Sequence, residues 1–438
     1  MFKTLINALK IEQLRKRMIY TFWILLVVRL GSQLPIPGVD VSAIQDYLQN
    51  VVGDSFSFIN SFTGGSFLSM SVFALSVTPY ITASIIMQLL TIAIPALEEM
   101  QHDGEDGRKK MTQITRYVSV ALAILESAGL AIGFSREGVL GDANVFTILT
   151  IIITLTTGSC IVMWLGECIS DKGIGNGISI ILLINIVSRM PADFSNLYEQ
   201  FVKGKDIVHG VVAAAIILAI VIGTTILVIL LQDAERRIPV QYSKKVQGRK
   251  TYGGQSSHIP LKVNTAGVIP IIFASSLMQV PSIVVNLFNI KAGTRAQQIM
   301  QGLNSNYWFN SDYPWASIGL ILYIILNIIF AYFYTSITFN PMEVANNMKK
   351  SGGFVPGIRP GKPTQDYLNK ILNYIVLIGI IGLLIVALIP IFFNGVFGAS
   401  VSFGGTSLII IVGVILDTMK QLESQMLVRN YSGFLNDK

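Results

Sequence analysis

Apolar runs alternate with charged or turn-forming breaks along this chain. Ten runs stand out, at about Met18–Leu34, Phe67–Ile94, Thr115–Phe134, Val145–Leu165, Gly175–Met190, Val211–Leu231, Val263–Phe288, Ala316–Ile337, Leu372–Phe393 and Phe403–Met419. Each is close to the about 20 residues a helix needs to cross a hydrocarbon core about 30 Å thick. The pattern predicts an all-α polytopic membrane protein with ten transmembrane helices. An even number of crossings puts both chain ends on one side. Five spans followed by five more also suit an inverted repeat, because a unit with an odd number of crossings enters upside down when repeated.

The second run has a break before it. From Ser55 to Leu97 the chain carries no Asp, Glu, Lys, Arg or His, a stretch of 43 residues. As one helix it would be roughly 65 Å long, about twice what a single crossing uses. Gly64-Gly65 divides it. The first piece, Ser55–Thr63, is near ~14 Å as a helix and cannot span. It can only dip in and return, with its free backbone groups satisfied by protein or a water-filled cavity. The second piece is a full span, and Pro79 is expected to kink it. A half-segment beside a kinked span implies a cavity with something lining it.

Composition agrees with the membrane reading. Over 438 residues only 13% are charged and mean hydropathy is +0.61, which excludes a water-soluble domain. The net charge of +7 says less than its placement. Of 32 Lys and Arg residues, 25 lie in or beside alternate connections beginning with the N-terminal tail, six in or beside the others, and Arg29 inside the first span. By the positive-inside rule both termini are cytoplasmic. The N-terminus imitates a signal peptide, but it lacks a small-residue cleavage site and Arg29 interrupts its apolar run, so a retained span is expected. Cys160 and Cys168 are eight residues apart on one expected helix, about 12 Å of rise, too far for a disulfide.

The expected layout is a cytoplasmic segment 1–17, a first five-helix half 18–190, an external connection 191–210, a second five-helix half 211–428 and a cytoplasmic tail 429–438. Two cytoplasmic loops are large, 233–262 and 339–369. Each carries basic residues, and Pro-Gly punctuation around Arg359 suggests a shaped loop presenting one guanidinium to a carboxylate or phosphate partner.

Chemistry is sparse. Glu126 is the one carboxylate well inside an expected span, whereas ion-coupled transporters usually place several ionisable groups there. No G-x-x-x-x-G-K-[ST] loop is present. Gly173-Ile174-Gly175-Asn176-Gly177 opens an apolar span rather than following a strand, and reads as a closely packed helix start. Neither metal-ligand spacing nor a Ser-His-Asp arrangement is visible. No catalytic, cofactor-binding or metal-binding residue is expected, and the chain does not read as an enzyme.

The motifs, taken in order, carry a family resemblance. Leu34-Pro35-Ile36-Pro37-Gly38, Phe73-Ala74-Leu75, Thr78-Pro79-Tyr80-Ile81-Thr82-Ala83-Ser84-Ile85 and Gly107-Arg108-Lys109-Lys110 come first. Trp164-Leu165-Gly166-Glu167 then precedes Gly173-Ile174-Gly175-Asn176-Gly177-Ile178-Ser179-Ile180. Leu261-Lys262-Val263-Asn264, Ala266-Gly267-Val268-Ile269-Pro270, Gly352-Gly353-Phe354-Val355-Pro356-Gly357-Ile358-Arg359-Pro360-Gly361 and Gly404-Gly405-Thr406-Ser407-Leu408 follow. From about Phe2 to about Phe434 the chain resembles the SecY family, the channel subunits of the bacterial Sec translocase.

The resemblance implies two inverted five-helix halves around a central hourglass pore, closed outside by a short re-entrant plug helix. The plug falls on 54–65, with Ser57, Phe58, Ile59, Asn60, Ser61, Phe62, Thr63, Gly64 and Gly65. An apolar pore ring falls on Val77, Ile81, Ile178, Leu182, Ile272 and Ile410; the family usually has isoleucine, so Val77 and Leu182 depart conservatively. Spacing supports this independently, since Val77/Ile81 and Ile178/Leu182 are i,i+4 pairs. Val77 and Ile272, entering from opposite sides, both reach about 15 Å depth. A lateral gate would run between the second and third spans on one side and the seventh and eighth on the other, with Thr82, Gln88 and Asn264 as polar residues along it. The implied activity is translocation of unfolded secretory polypeptides and lateral release of apolar segments into lipid.

The resemblance further implies the small SecE and SecG membrane subunits, the SecA ATPase and the ribosome with its ribosomal RNA as partners. Signal peptides and nascent polypeptides would be the substrate, membrane lipids the surroundings, and the bacterial plasma (inner) membrane the location. Arg237 and Arg359, with Arg249 and Lys250 beside them, are the expected docking contacts. Two other classes stay open at this point: a secondary transporter, which would take up a solute on its own, and a scaffold that assembles membrane proteins without conducting anything.

Overall fold

The structure is a computed structural model that describes residues 2–37, 39–47, 60, 62–136, 138, 140, 144–203, 207–242, 245–247, 250–252, 256–275, 277–278, 302–303, 308, 317–397 and 405–436. Helices dominate. In chain order the elements are α1 (Phe2–Lys10), α2 (Glu12–Gly31), α3 (Val41–Tyr47), α4 (Thr78–Ala93), α5 (Pro95–His102), α6 (Gly104–Arg136), α7 (Val145–Lys172), α8 (Gly177–Phe201) and α9 (Ile207–Asp233). Four strands follow, β1 (Glu235–Tyr242), β2 (Lys245–Gln247), β3 (Lys250–Tyr252) and β4 (Ser256–Lys262). The chain continues with α10 (Ser317–Thr338), α11 (Pro341–Lys350), β5 (Gly353–Phe354), α12 (Lys362–Phe397) and α13 (Gly405–Asn436).

Among the described residues, six helices are long and apolar enough to cross a membrane, and α4 with α5 makes a seventh if that pair, bent by 109°, is counted as one span. Most of the first and tenth expected spans falls on α2, which covers 18–31, and on α13, which covers 405–419. Most of the expected span Val263–Phe288 lies outside the described residues, and within it 269–275 are helical.

One expectation about a proline is corrected. The run Phe67–Ile94 is not one helix kinked at Pro79. Residues 64–77 form successive turns, Met70 and Ser76 adopt positive φ, and the helix begins only at Thr78. Pro79 therefore sits in the first helical turn, where its missing N–H would have had no partner. The bend comes at the other end. Ile94, held extended before Pro95 at φ −118°, ψ 107°, separates α4 from α5. The fifth span also outruns its expected end at Met190, since α8 continues through Pro191 to Phe201.

The chain divides into two compact units, Met1–Leu197 with Asn286–Asn289 and Gly413–Lys438, and Tyr198–Val285 with Ile290–Val412. In the first unit α6 packs along α4 and α7. A core of Ile36, Ile44, Phe67, Met70, Ala131, Phe134 and Leu155 fixes the turn-rich stretch against α6 and α7. A second cluster joins α1, α2 and the far end of α13 through Ala8, Leu14, Ile174, Met419 and Leu422. The turn between α7 and α8 is a packing corner, as its glycines suggest. The Ile174 N–H donates to Thr21 Oγ1 (3.2 Å), and a Cβ at Gly177 would overlap the Gly166 carbonyl oxygen. Gly177→Val is expected to lower stability by about 1–3 kcal/mol through overpacking, read as a lower thermal midpoint of the detergent-solubilised protein.

In the second unit the two large connections, expected as loops, fold together. β1 pairs antiparallel with β4 from Glu235↔Lys262 to Gln241↔Ser256, and β5 pairs with Gln241 and Tyr242 on the other side. β5 covers only that end of β1, leaving the rest of that edge of β1 unpaired among the described residues. Ile238 and Val240 point inward and meet Leu261, Met348, Val355 and Leu368 in one core. Asn340 caps α11 by accepting from the Met342 and Glu343 amides, with Pro341 at the first helical position and Lys349 and Lys350 at the C-terminal end of the dipole. The helices themselves pack through Ala266, Ala331, Leu372, Val376 and Ile380.

Candidate channel constriction and plug

Residues 60, 62 and 63 are helical, and the stretch 64–77 that follows is held by local bonds rather than by a helix. Gly64 and Gly65 take positive φ (66° and 87°), and the Gly65 amide returns to the Asn60 carbonyl at 3.0 Å. The Leu34-Pro35-Ile36 motif straps the far side of the turn. The Ile36 N–H donates to the Met70 carbonyl (3.0 Å), the Val72 N–H to the Leu34 carbonyl (2.9 Å), and Pro35 bridges Ser71. Asn60, Phe62, Thr63 and Gly64 are buried and Gly65 is half-buried. Of the expected plug residues, Ser57, Phe58, Ile59 and Ser61 lie outside the described set.

Four of the six expected ring residues belong to the first unit. Val77 caps the N-terminus of α4 and is fully buried, and Ile81 lies one turn in, half-buried. Ile178 and Leu182 occupy the first two turns of α8. A Cβ at Gly166 would lie 3.0 Å from Ile178 Cγ1, so this side chain packs partly against α7. Asn185, one turn past Leu182, donates to Ser76 Oγ (3.0 Å), and Ser159 on α7 donates to the Ser76 carbonyl (3.1 Å). These bonds hold the Val77 turn against the face of α8 that carries Leu182. Ile272, in the short helical stretch 269–275, and Ile410 on α13 are buried residues of the second unit.

The polar residues expected along a gate differ in what they do. The Thr82 hydroxyl donates to its own helix at the Thr78 carbonyl (3.1 Å), and Gln88 is half-buried. Asn264 is 5% exposed, and neither atom of its carboxamide has a hydrogen-bond partner. Glu126 is half-buried on α6.

Among the expected docking residues, Arg237 is exposed on β1 and already paired with Glu235, Nε to Oε1 at 2.7 Å. Arg359 is exposed in a fixed loop. Val355 and Ile358 anchor the loop to the sheet core, Gly357 and Gly361 turn at positive φ, and Thr364 Oγ1 donates to the Arg359 carbonyl (2.8 Å). Arg249 lies outside the described residues, and Lys250 opens β3.

Sequence reasoning missed a buried polar cluster in the first unit. Arg29 Nη1 donates to Asn185 Oδ1 (3.4 Å), and Arg189 stands one turn beyond Asn185 on α8. The available signal was the continuation of the Ile178/Leu182 face: positions 178, 182, 185, 189 and 193 advance by three or four and share one stripe.

A SecY family model matches residues 71–419. The chain belongs to the SecY family. A Streptomyces scabiei protein named protein translocase subunit SecY is 45% identical over 444 residues, covering 98% of both chains. Two solved structures have the same fold. One, described as showing that the plug domain of the SecY protein stabilises the closed state of the translocation channel and maintains a membrane seal, matches with TM-score 0.65 at 20% identity over 94% of this chain and 92% of that one. The other is Sec61 in the canine ribosome-channel complex, with TM-score 0.62 at 18% identity over 94% and 93%. The architecture is thus that of a multi-pass SecY-type membrane protein, and its fold neighbours include a Sec61 channel bound to a ribosome.

Proposed function

We propose that this chain is the protein-conducting subunit of a Sec translocase, moving unfolded polypeptides across the membrane and releasing apolar segments sideways into lipid. Full-length SecY-family membership carries the reading. In this reading the ten expected spans form two inverted halves, and Val77, Ile81, Ile178, Leu182, Ile272 and Ile410 contribute to one aliphatic collar. Such a collar offers a passing peptide no fixed hydrogen bonds, resists wetting when closed, and so blocks ions. The plug adds a second seal above it. The side gate opens between α4 and α6 on one side and the seventh and eighth spans on the other. The buried, unpartnered Asn264 carboxamide supports a gate that opens readily. Leaving such a group unsatisfied costs about 1–3 kcal/mol, which hydration on opening would relieve.

The driving force comes from outside the chain. A ribosome or the SecA ATPase docks on the basic sheet and on the Arg359 loop at the cytoplasmic face, and small SecE- and SecG-like subunits brace the spans. The location is the bacterial inner membrane with both termini cytoplasmic, in keeping with the placement of Lys and Arg.

Cross-linking tests the reading. A photoreactive residue at Ile81 or at Ile272 is expected to capture an arrested secretory chain in transit. Adducts with lipid alone at both positions would overturn the collar. Solute uptake by the purified protein would favour a transporter instead.

A further inference from the structure

We infer that Arg29, Asn185 and Arg189 form a polar latch that holds Asn60 and Phe62–Gly65 in their seat and sets the resting tightness of the channel. The inference rests on reading that segment as the plug.

All members lie in the first unit. Asn185 uses its whole carboxamide: Nδ2 donates to the Phe62 carbonyl (3.2 Å) and to Ser76 Oγ (3.0 Å), and Oδ1 accepts from Arg29 Nη1 (3.4 Å). One side chain on α8 therefore joins α2, the plug segment and the turn before α4. One turn further along α8, the Arg189 guanidinium meets Asn60. With the Asn60 carboxamide turned so that both groups are satisfied, its oxygen accepts from both terminal nitrogens, Nη2 at 3.0 Å. Asp193 stands 3.6 Å from Arg189 Nε, a charge partner too distant for a hydrogen bond, and that Nε is otherwise without one. Gly64 completes the seat. A Cβ there would lie 2.7 Å from Arg29 Nη1 and 2.8 Å from the Asn185 carbonyl oxygen, and its φ of +66° also selects glycine.

The chemistry makes this a two-position device. With the segment seated, donors on the buried Asn185 and the half-buried Arg29 and Arg189 are engaged away from bulk water, where such bonds are stronger. Withdrawing the segment takes the Phe62 carbonyl from Asn185 and the Asn60 carboxamide from Arg189, which is unfavourable until water or another polypeptide supplies acceptors. The Asn185 bond goes to a main-chain carbonyl, so any translocating chain carries the competing group. The latch thus discriminates a dry, empty channel from an occupied one, and not one sequence from another.

Resting ion flux through proteoliposomes containing the full-length protein tests this. Asn185→Leu is expected to raise flux about fivefold, the ratio that follows from losing one hydrogen bond to a neutral main-chain carbonyl. Arg189→Met and Asn60→Leu are each expected to raise it, and the double variant to add little to either one, because the two side chains serve one contact. A spin label on Ser69 should gain mobility in the same variants. In protein already lacking Ser57–Thr63, Asn185→Leu is expected to change nothing further. If Asn185→Leu does not fold, the Arg189/Asn60 cycle decides alone. Tight channels in folded latch variants, alongside a leaky deletion protein, would overturn the latch and leave the plug standing. A tight deletion protein would overturn both.

Discussion

Arg359→Glu is expected to reduce SecA-driven translocation about a hundredfold while leaving the protein folded. The loop around Arg359 is rigid, for Val355 and Ile358 are built into the core under the sheet and the Gly361 carbonyl accepts from the Thr364 and Gln365 amides (3.0 and 3.1 Å). Its guanidinium is exposed and makes no ion pair among the described residues. Such a group is free to receive a partner's carboxylate or phosphate without first surrendering a bond. Reversing its charge both removes the attraction and sets like charges together, an effect worth several kcal/mol at a docking surface. Stability should hardly move, because exposed substitutions away from special features usually stay within about 0.5 kcal/mol. Arg237→Glu is the informative comparison. Arg237 already faces Glu235, so the partner gains less from it, and its reversal should cost less transport. Translocation of a precursor into proteoliposomes measures both. Unimpaired transport by Arg359→Glu would remove the special role given to that loop.

Deleting Ser57–Thr63 is expected to turn a tight resting channel into one that conducts ions continuously. The described part of this segment is among the most deeply buried stretches of the first unit, with Thr63 at 0% and Asn60 at 2% exposure. Removing it takes away the Phe62 carbonyl that Asn185 binds and the Asn60 carboxamide that Arg189 binds. The polar groups left behind would draw in water, so the aliphatic collar would face a wetted funnel and carry the seal unaided. Conductance of single channels in planar bilayers reads this directly. Resting conductance unchanged by the deletion would sink the plug assignment.

The helical architecture was legible because about 20 consecutive apolar residues have few alternatives in lipid. The same logic misreads 64–77, which is apolar but not helical. There Ser66 and Ser69 turn their hydroxyls onto the Thr63 and Gly65 carbonyls (2.8 and 3.2 Å), and two glycines reverse the chain, details to which hydropathy is blind. The sheet escaped notice for a different reason. Only Ile238 and Val240 alternate inward on β1, too short a signature to separate a strand from a basic loop. The Arg29–Asn185–Arg189 cluster was missed because hydropathy averages scattered polar residues away; the stripe through Leu182, Asn185 and Arg189 was readable, but their meeting with Arg29 depends on helix packing far apart in sequence.

The sheet grows out of the helices without slack. Only Ala234 separates the end of α9 from β1, and the Val263 amide closes the base of the hairpin on the Ala234 carbonyl at 2.8 Å. Anything that grips the β1–β4 pair therefore holds a handle one residue from the end of α9. On the other side the turns at 263–268, with Gly267 at positive φ, stand between β4 and the helical stretch that carries Ile272, so a push on the strand pair is passed more directly to α9.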